Sequence, residues 1–511
     1  MPLLGKVLKQ FVEARNELKI RPYQAARNQN NMLRKLLRKA EFTEFGREHG
    51  FTAILQSKKP EQLFSRNVPL SDYVSIYKNW WHRSVQGERD VCWPGQVKYF
   101  ALSSGTSDSS SKRIPITKDM IHAIRNSSLK QILAMSNFNF DETSYEKGIM
   151  MLGGSTNLKR KGSYYEGDLS GISARNIPTW FQAFYKPGKK IAQLSDWERK
   201  LDEIAAHAHQ WDIAHICGIP AWNQLMLERI IAHHRVKHIH EVWPNLTSFV
   251  HGGVAFEPYR KSFEKLLGKP ITYIDTYLAS EGFIAYQNRP DTHAMRLLTR
   301  SGIYFEFIPF DDAHFDEEGN IRNGVTALTL QEVNTHTDYA LVLSTCAGAW
   351  RYLIGDTIRF VNTDEYELVI TGRTKHFLSL CGEHLSVDNM NHAIAHVNDT
   401  LNVGIREYTV CGVPHQTLFA HHWFVGCDEE AHASQLKELI DSKLKAINDD
   451  YATERISALK DIMVTVLPVS VFYDWQAKHQ KLGGQNKFPR VMKGERLQDW
   501  LSFLKEKQLL D

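Results

Sequence analysis

Between residues 97 and 274 short apolar runs recur, and each is stopped by glycine, proline or a polar loop. The runs are 97–102 (VKYFAL), 148–152 before Gly153–Gly154, 213–217 before Gly218, 246–250 before Gly252–Gly253, and 271–274. Stretches of helical periodicity lie between them, over 118–135, 222–234 and 259–267. Strands alternating with helices predict a mixed or parallel sheet covered by helices. In such sheets ligands bind at the carboxyl ends of the strands. Loops that directly follow the runs are therefore the places to look for chemistry.

The rest of the chain reads differently. Residues 1–90 are mostly helical in pattern. From about 303 to 371 the runs IYFEFIPF, VTALTL, YALVLST, DTIRFVN and YELVITG predict a β-rich part. Residues 384–511 have an α+β character, with strands over 408–412, 422–426 and 463–469 and a helix over 434–448. The junction falls near 372–386, which divides the α/β chain into a large domain over 1–378 and a smaller α+β domain over 379–511. A chain of 511 residues buries enough surface to fold without disulfides or metals. With 62 lysines and arginines against 58 acidic residues, the net charge of +4 gives little support for nucleic-acid binding. Charges interrupt every apolar stretch before spanning length, and the first 20 residues read as an amphipathic helix rather than a signal peptide. Cys92, Cys217, Cys346, Cys381, Cys411 and Cys427 form no CxxC pair, so the plain expectation is a reduced, cytoplasmic protein without a zinc site.

Three loops carry candidate chemistry. Residues 103–112 (SSGTSDSSSK) follow the run ending at Leu102, and their hydroxyls and glycine-turned backbone offer donors to phosphate oxygens. The loop lacks the GK[ST] ending of a kinase-type phosphate loop, and no GxSxG elbow points to a serine hydrolase. Residues 277–281 (YLASE) place an aromatic ring, a hydroxyl and a carboxylate together, a set able to stack on a base, meet a phosphate and hold Mg²⁺. Residues 350–356 (WRYLIGD) end in a glycine turn and a carboxylate that can accept ribose hydroxyls. Taken singly, each has an ordinary structural reading: a solvated linker, a packing tyrosine beside a surface charge, and a Gly-Asp turn.

Taken in order, SSGTS…K, YxxSE, WRYxxGD and GRxKxxxxxxGE resemble the adenylate-forming superfamily. They most resemble the Gretchen Hagen family of acyl-acid amido synthetases, known as auxin-responsive proteins in plants and also found in bacteria. Residues 343–360 (LSTCAGAWRYLIGDTIRF) resemble that family's TNYAGLYRYRxGD signature, and 485–490 (QNKFPR) resembles its QYKTPR. The resemblance implies a large adenylate-forming domain and a mobile C-terminal domain, with ATP and Mg²⁺ as cofactors. It also implies a role for each matching residue. Ser103, Ser104, Thr106 and Ser107 would bind phosphate. Tyr277 would stack on adenine, Ser280 would lie on its phosphate side, and Glu281 would hold the metal. Asp356 would bind the ribose, Arg373 would be the hinge arginine with a ribose contact, and Lys487 would reach the α-phosphate. At 383–384 the chain has Glu-His where plant members have Asp-Lys.

The implied reaction joins a small carboxylic acid to an amino acid through an acyl-adenylate, releasing pyrophosphate and AMP. The partners expected are those two small substrates, with neither nucleic acid nor membrane. An acyl-CoA synthetase on the same scaffold and a non-catalytic nucleotide- or acyl-binding protein are the competing readings. Trp180, Phe181, Phe184 and Tyr185 are candidates for the acyl pocket or for core, and His251 for a base toward the amine. Of 23 histidines, His234 and His238 have an i, i+4 spacing that a metal can use, but a solvated face is the simpler expectation.

Overall fold

The computed structural model describes residues 22–510 apart from 104–111, 254–255, 257–259, 261–262, 317–318, 375–376, 379, 382, 384, 429–430 and 480–487. The chain forms two compact units, one comprising the residues up to 102 and 112–375, the other 103–111 and 376–511.

In the first unit the helix Pro22–Ala40 leads a helical segment, as the periodicity predicts. Strand β1 (Tyr99–Ser103) and β2 (Lys112–Ile116) begin a small sheet completed by β4 (Lys159–Lys161) and β5 (Tyr164–Gly167), in the order β2-β1-β5-β4. The long sheet contains β3 (Gly148–Met151), β6 (Tyr185–Lys186), β7 (Ile213–Gly218), β8 (Ser248–Gly252), β9 (Thr272–Ala279), β10 (Gly282–Gln287), β11 (Met295–Leu297), β12 (Ile303–Pro309), β13 (Asp338–Thr345), β14 (Tyr352–Asn362) and β15 (Glu367–Arg373). Its order is β12-β13-β14-β15-β11-β10-β9-β8-β7-β3-β6. The β6 to β9 half is parallel. The β9 to β12 half is antiparallel.

The two halves follow from the sequence. The interior of β7 reads IAHI without alternation, because a parallel strand is buried on both faces by crossover helices. Two helices of this unit start where the sequence supplies caps. Thr117 accepts from the Met120 amide at the head of Lys118–Ala134, and Asp196 accepts from Arg199 at the head of Trp197–His207. The antiparallel half encloses a large core, which includes Tyr277, Ile284, Leu297, Phe305, Leu343, Trp350, Ile358 and Leu368. The run VTALTL forms no regular strand; only Leu328 pairs, as an isolated bridge to Phe307.

In the second unit β16 (Phe377–Leu378) and β17 (Leu385–Ser386) form a short hairpin. Strands β18 (Glu407–His415), β19 (Leu418–Gly426) and β20 (Leu459–Leu467) form a sheet in that order. The helices Ala433–Ile447, Asp449–Ile456, Val469–Lys478 and Gly494–Glu506 accompany it. Its aromatic core gathers Phe424, Phe472, Trp475, Phe488, Trp500 and Phe503. The last sequence-predicted strand, 463–469, begins earlier and stops at Leu467, because Pro468 caps a helix whose first residue is Val469.

Candidate functional site

Asp356 and Arg373 are direct cross-strand partners in the β14–β15 register. The guanidinium Nη2 lies 3.3 Å from Asp356 Oδ1 and also donates to the Ile354 carbonyl at 3.4 Å. Gly355, just before Asp356, lies in the left-handed region. Its φ is +93°, a conformation that glycine adopts without strain and that lets the strand turn into Asp356. The other carboxylate oxygen, Oδ2, accepts the hydroxyl of Tyr277 at 2.5 Å. Tyr277 belongs to β9, four strands from β14 along the sheet. On a flat sheet that separation is about 19 Å at roughly 4.8 Å per strand. The two side chains meet because this half of the sheet curls back on itself around the core.

Beyond Tyr277 the chain turns through Ser280 and Glu281, the two-residue tip between paired Ala279 and Gly282. Gly282 has a φ of +141°, and a Cβ there would stand 2.9 Å from Ile303 Cδ1, so the turn needs glycine. Glu281 is only 8% exposed. Burial raises its carboxyl above the ordinary range and the nearby Asp356 charge adds to this, while Lys112 and Arg373 oppose them. Burial, reinforced by Asp356, likewise raises the Tyr277 phenol well above its ordinary value, so it stays a protonated donor. Lys112, at the start of β2, holds its ammonium 5.5 Å over the Tyr73 ring.

Tyr277, Glu281, Asp356 and Arg373 thus form one electrostatically linked group, with Ser280 beside Glu281. Ser103 ends β1. Ser104, Thr106, Ser107 and Lys487 lie outside the described residues. Lys112 joins the group without having been singled out as a site residue. Its signal was in plain view as the cation closing the serine-rich loop. The WRYLIGD run divides in two. Gly355 and Asp356 belong to the site, whereas Trp350, Arg351 and Tyr352 are buried structure. Arg351 Nε contacts Glu306 Oε1 at 3.1 Å and Oε2 at 3.0 Å, and its Nη1 donates to the Ser65 and Val68 carbonyls, each at 2.8 Å.

Other candidates have structural partners. His251 is buried against Phe256, its Nδ1 3.7 Å from Asp275 Oδ1. Tyr185 is buried while Trp180 is exposed. His234 Nε2 bonds the Ala205 carbonyl. Among the described residues no group of three or more His, Cys, Asp or Glu is placed to hold a metal ion. Mg²⁺ bound with a nucleotide needs only one or two carboxylates, because phosphates and water supply the rest. Glu281 fits that demand, since a cation would relieve a buried carboxylate whose desolvation is only partly compensated. No helix among the described residues is long and apolar enough to cross a membrane.

Similarity to known proteins extends along the chain. Residues 16–163 and 155–271 match the GH3 family N-terminal domain, 296–373 its central domain, and 388–496 its C-terminal domain. A probable indole-3-acetic acid-amido synthetase of Oryza sativa subsp. japonica is 29% identical over 127 residues, 24% of this chain and a quarter (25%) of that protein's length. Two solved structures share the fold at low identity. The AtGH3.15 acyl acid amido synthetase, determined with 2,4-DB, superposes with a TM-score of 0.60 at 17% identity, covering 99% of this chain and 96% of its own. A 2-hydroxyisobutyryl-CoA ligase, determined with 2-HIB-AMP and CoA, does so with a TM-score of 0.59 at 13% identity, covering 95% and 92%. With all three of its domains matched in order along the chain, this protein belongs to the GH3 family.

Proposed function

We propose that the protein uses ATP to activate a small carboxylic acid as its acyl-adenylate and then passes the acyl group to the amine of an amino acid. One observation supports this most strongly. A carboxylate able to take a ribose diol, Asp356, is fixed between Tyr277 and Arg373, and a second, Glu281, is electrostatically coupled to it.

In the first step a substrate carboxylate oxygen bonds to the α-phosphorus and the bond to the β-phosphate oxygen breaks, releasing pyrophosphate. In the second, the amine nitrogen bonds to the acyl carbon, the bond to AMP breaks, and the nitrogen loses a proton. A carboxylate alone is a poor acyl donor, so the first step makes the second possible. Negative charge accumulates on phosphates, and donors fixed in advance stabilise it. Ser103, Ser104, Thr106 and Ser107, with Ser280, are assigned to those oxygens. Asp356 and Arg373 hold the ribose, Tyr277 lies beside it, and Lys487 serves the α-phosphate. Mg²⁺, held by Glu281, would neutralise charge on the phosphates. The resemblance of 350–356 and 485–490 to the amido synthetase motifs favours an amine as acceptor over CoA.

The test is product analysis with ATP, a panel of carboxylic acids, and either mixed amino acids or CoA. Amide plus AMP supports the proposal. Thioester alone moves the protein to acyl-CoA formation, and neither product refutes both.

A further inference from the structure

We infer that Tyr277 serves the nucleotide site through its hydroxyl, as a positioning residue that fixes the Asp356 carboxylate for the ribose and so sets discrimination for the sugar diol. This inference rests on the proposed nucleotide reading. It differs from a stacking role, which needs only the ring.

Three observations carry it. First, the ring is packed among core residues and only 5% exposed. Second, the hydroxyl donates to Asp356 Oδ2 at 2.5 Å, a short bond to a charged acceptor. Third, Arg373 takes the opposite oxygen, Oδ1, at 3.3 Å. Each carboxylate oxygen accepts more than one hydrogen bond. With Tyr277 donating to one oxygen and the Arg373 guanidinium paired with the other, the plane of the carboxylate is set and each oxygen keeps capacity for a further donor. Two acceptor sites on one rigid carboxylate match the two adjacent hydroxyls of a ribose. Nothing local would hold the group this way. Asp356 follows a glycine, and its second donor arrives from a strand four places away in the sheet.

The experiment compares binding of AMP and 2′,3′-dideoxy-AMP to the full chain, by calorimetry, for wild type and Tyr277→Phe. Loss of a hydrogen bond to a charged group predicts about a tenfold weaker AMP affinity. The dideoxy nucleotide, which cannot use Asp356, should bind both proteins equally, and that equality also shows that the variant is folded. An unchanged preference for AMP in Tyr277→Phe overturns the inference and leaves the nucleotide reading intact. Equal loss of both nucleotides also overturns it, because the ring or its packing is then what matters. If wild type binds neither nucleotide, the proposed function fails first and the inference with it. Should Tyr277→Phe not fold, 3-fluorotyrosine at position 277 keeps the ring and strengthens the donor. A preference that differs from wild type is then expected, and an identical one overturns the inference.

Discussion

Replacing Glu306 by Gln removes the charge facing Arg351 and changes almost nothing in volume. Both side chains are 4% exposed, and Nη1 of the guanidinium donates to the carbonyls of Ser65 and Val68. Breaking a buried pair by removing one partner leaves an uncompensated charge, at a cost of about 3–5 kcal/mol. Unfolding entropy near 2.1 cal/mol/K per residue gives roughly 0.7 kcal/mol/K for a unit spanning residues 22–375, so the melting temperature should fall by about 4–7 °C. Differential scanning calorimetry of that unit's transition reads this directly. The double substitution Glu306→Leu with Arg351→Met should recover part of the loss. It cannot recover all of it, since Ser65 and Val68 lose their donor. AMP affinity of folded Glu306→Gln should stay within about twofold of wild type, because Arg351 faces carbonyls and Glu306. A melting shift under about 1 °C would refute the buried-pair reasoning. An AMP affinity lost tenfold or more would place Arg351 in the nucleotide site.

Three further outcomes are expected. At a hundred times its dissociation constant AMP should stabilise wild type by about 2.7 kcal/mol, and Asp356→Ala should abolish most of the accompanying melting shift; equal shifts in both proteins would remove the ribose assignment. Glu281 has a raised folded pKa, so its bound proton competes with a cation. Mg²⁺-dependent stabilisation of the AMP complex should therefore grow as pH rises above the ordinary carboxylate value of 4.5 and be lost in Glu281→Gln, as thermal shifts across a pH series would show. Glu383 shows the opposite sign: burial pushes its carboxyl upward, but His421 Nε2 at 2.8 Å and the Cys381 amide outweigh it and lower it from 4.5 to about 2. Its contribution, roughly 3 kcal/mol, is complete above pH 4.5 and fades as pH falls toward 2, so Glu383→Gln should flatten acid unfolding in that window; an unchanged acid transition would refute the pairing.

Much of this was legible in the sequence because local chemistry repeats. Strands that end in glycine announced the parallel half, and the Ser-Glu and Gly-Asp turns announced the carboxylates. What stayed hidden was set by sheet curvature. No local signal tells that Tyr277 reaches Asp356, because the approach depends on how strands β9 to β15 close around the core. The Glu306–Arg351 pair was hidden for a similar reason: Glu306 lies on β12 and Arg351 in the bend just before β14, and an arginine inside a signature run looks functional wherever its side chain points. VTALTL groups in sequence with the runs of the β-rich part, yet it makes only one bridge, since a neighbouring strand and not its own pattern would have to satisfy its backbone.

The central claim is that the protein forms an acyl-adenylate, and ATP–pyrophosphate exchange tests it without knowledge of the acceptor. Purified protein is incubated with ATP, Mg²⁺, labelled pyrophosphate and one carboxylic acid at a time, with neither amino acid nor CoA added. The account predicts label entering ATP only when a particular acid is present, and a loss of about 10²–10³ in that rate for Lys487→Ala. A protein that binds AMP but catalyses no exchange with any acid in a broad panel, or one whose exchange needs no acid, would contradict it.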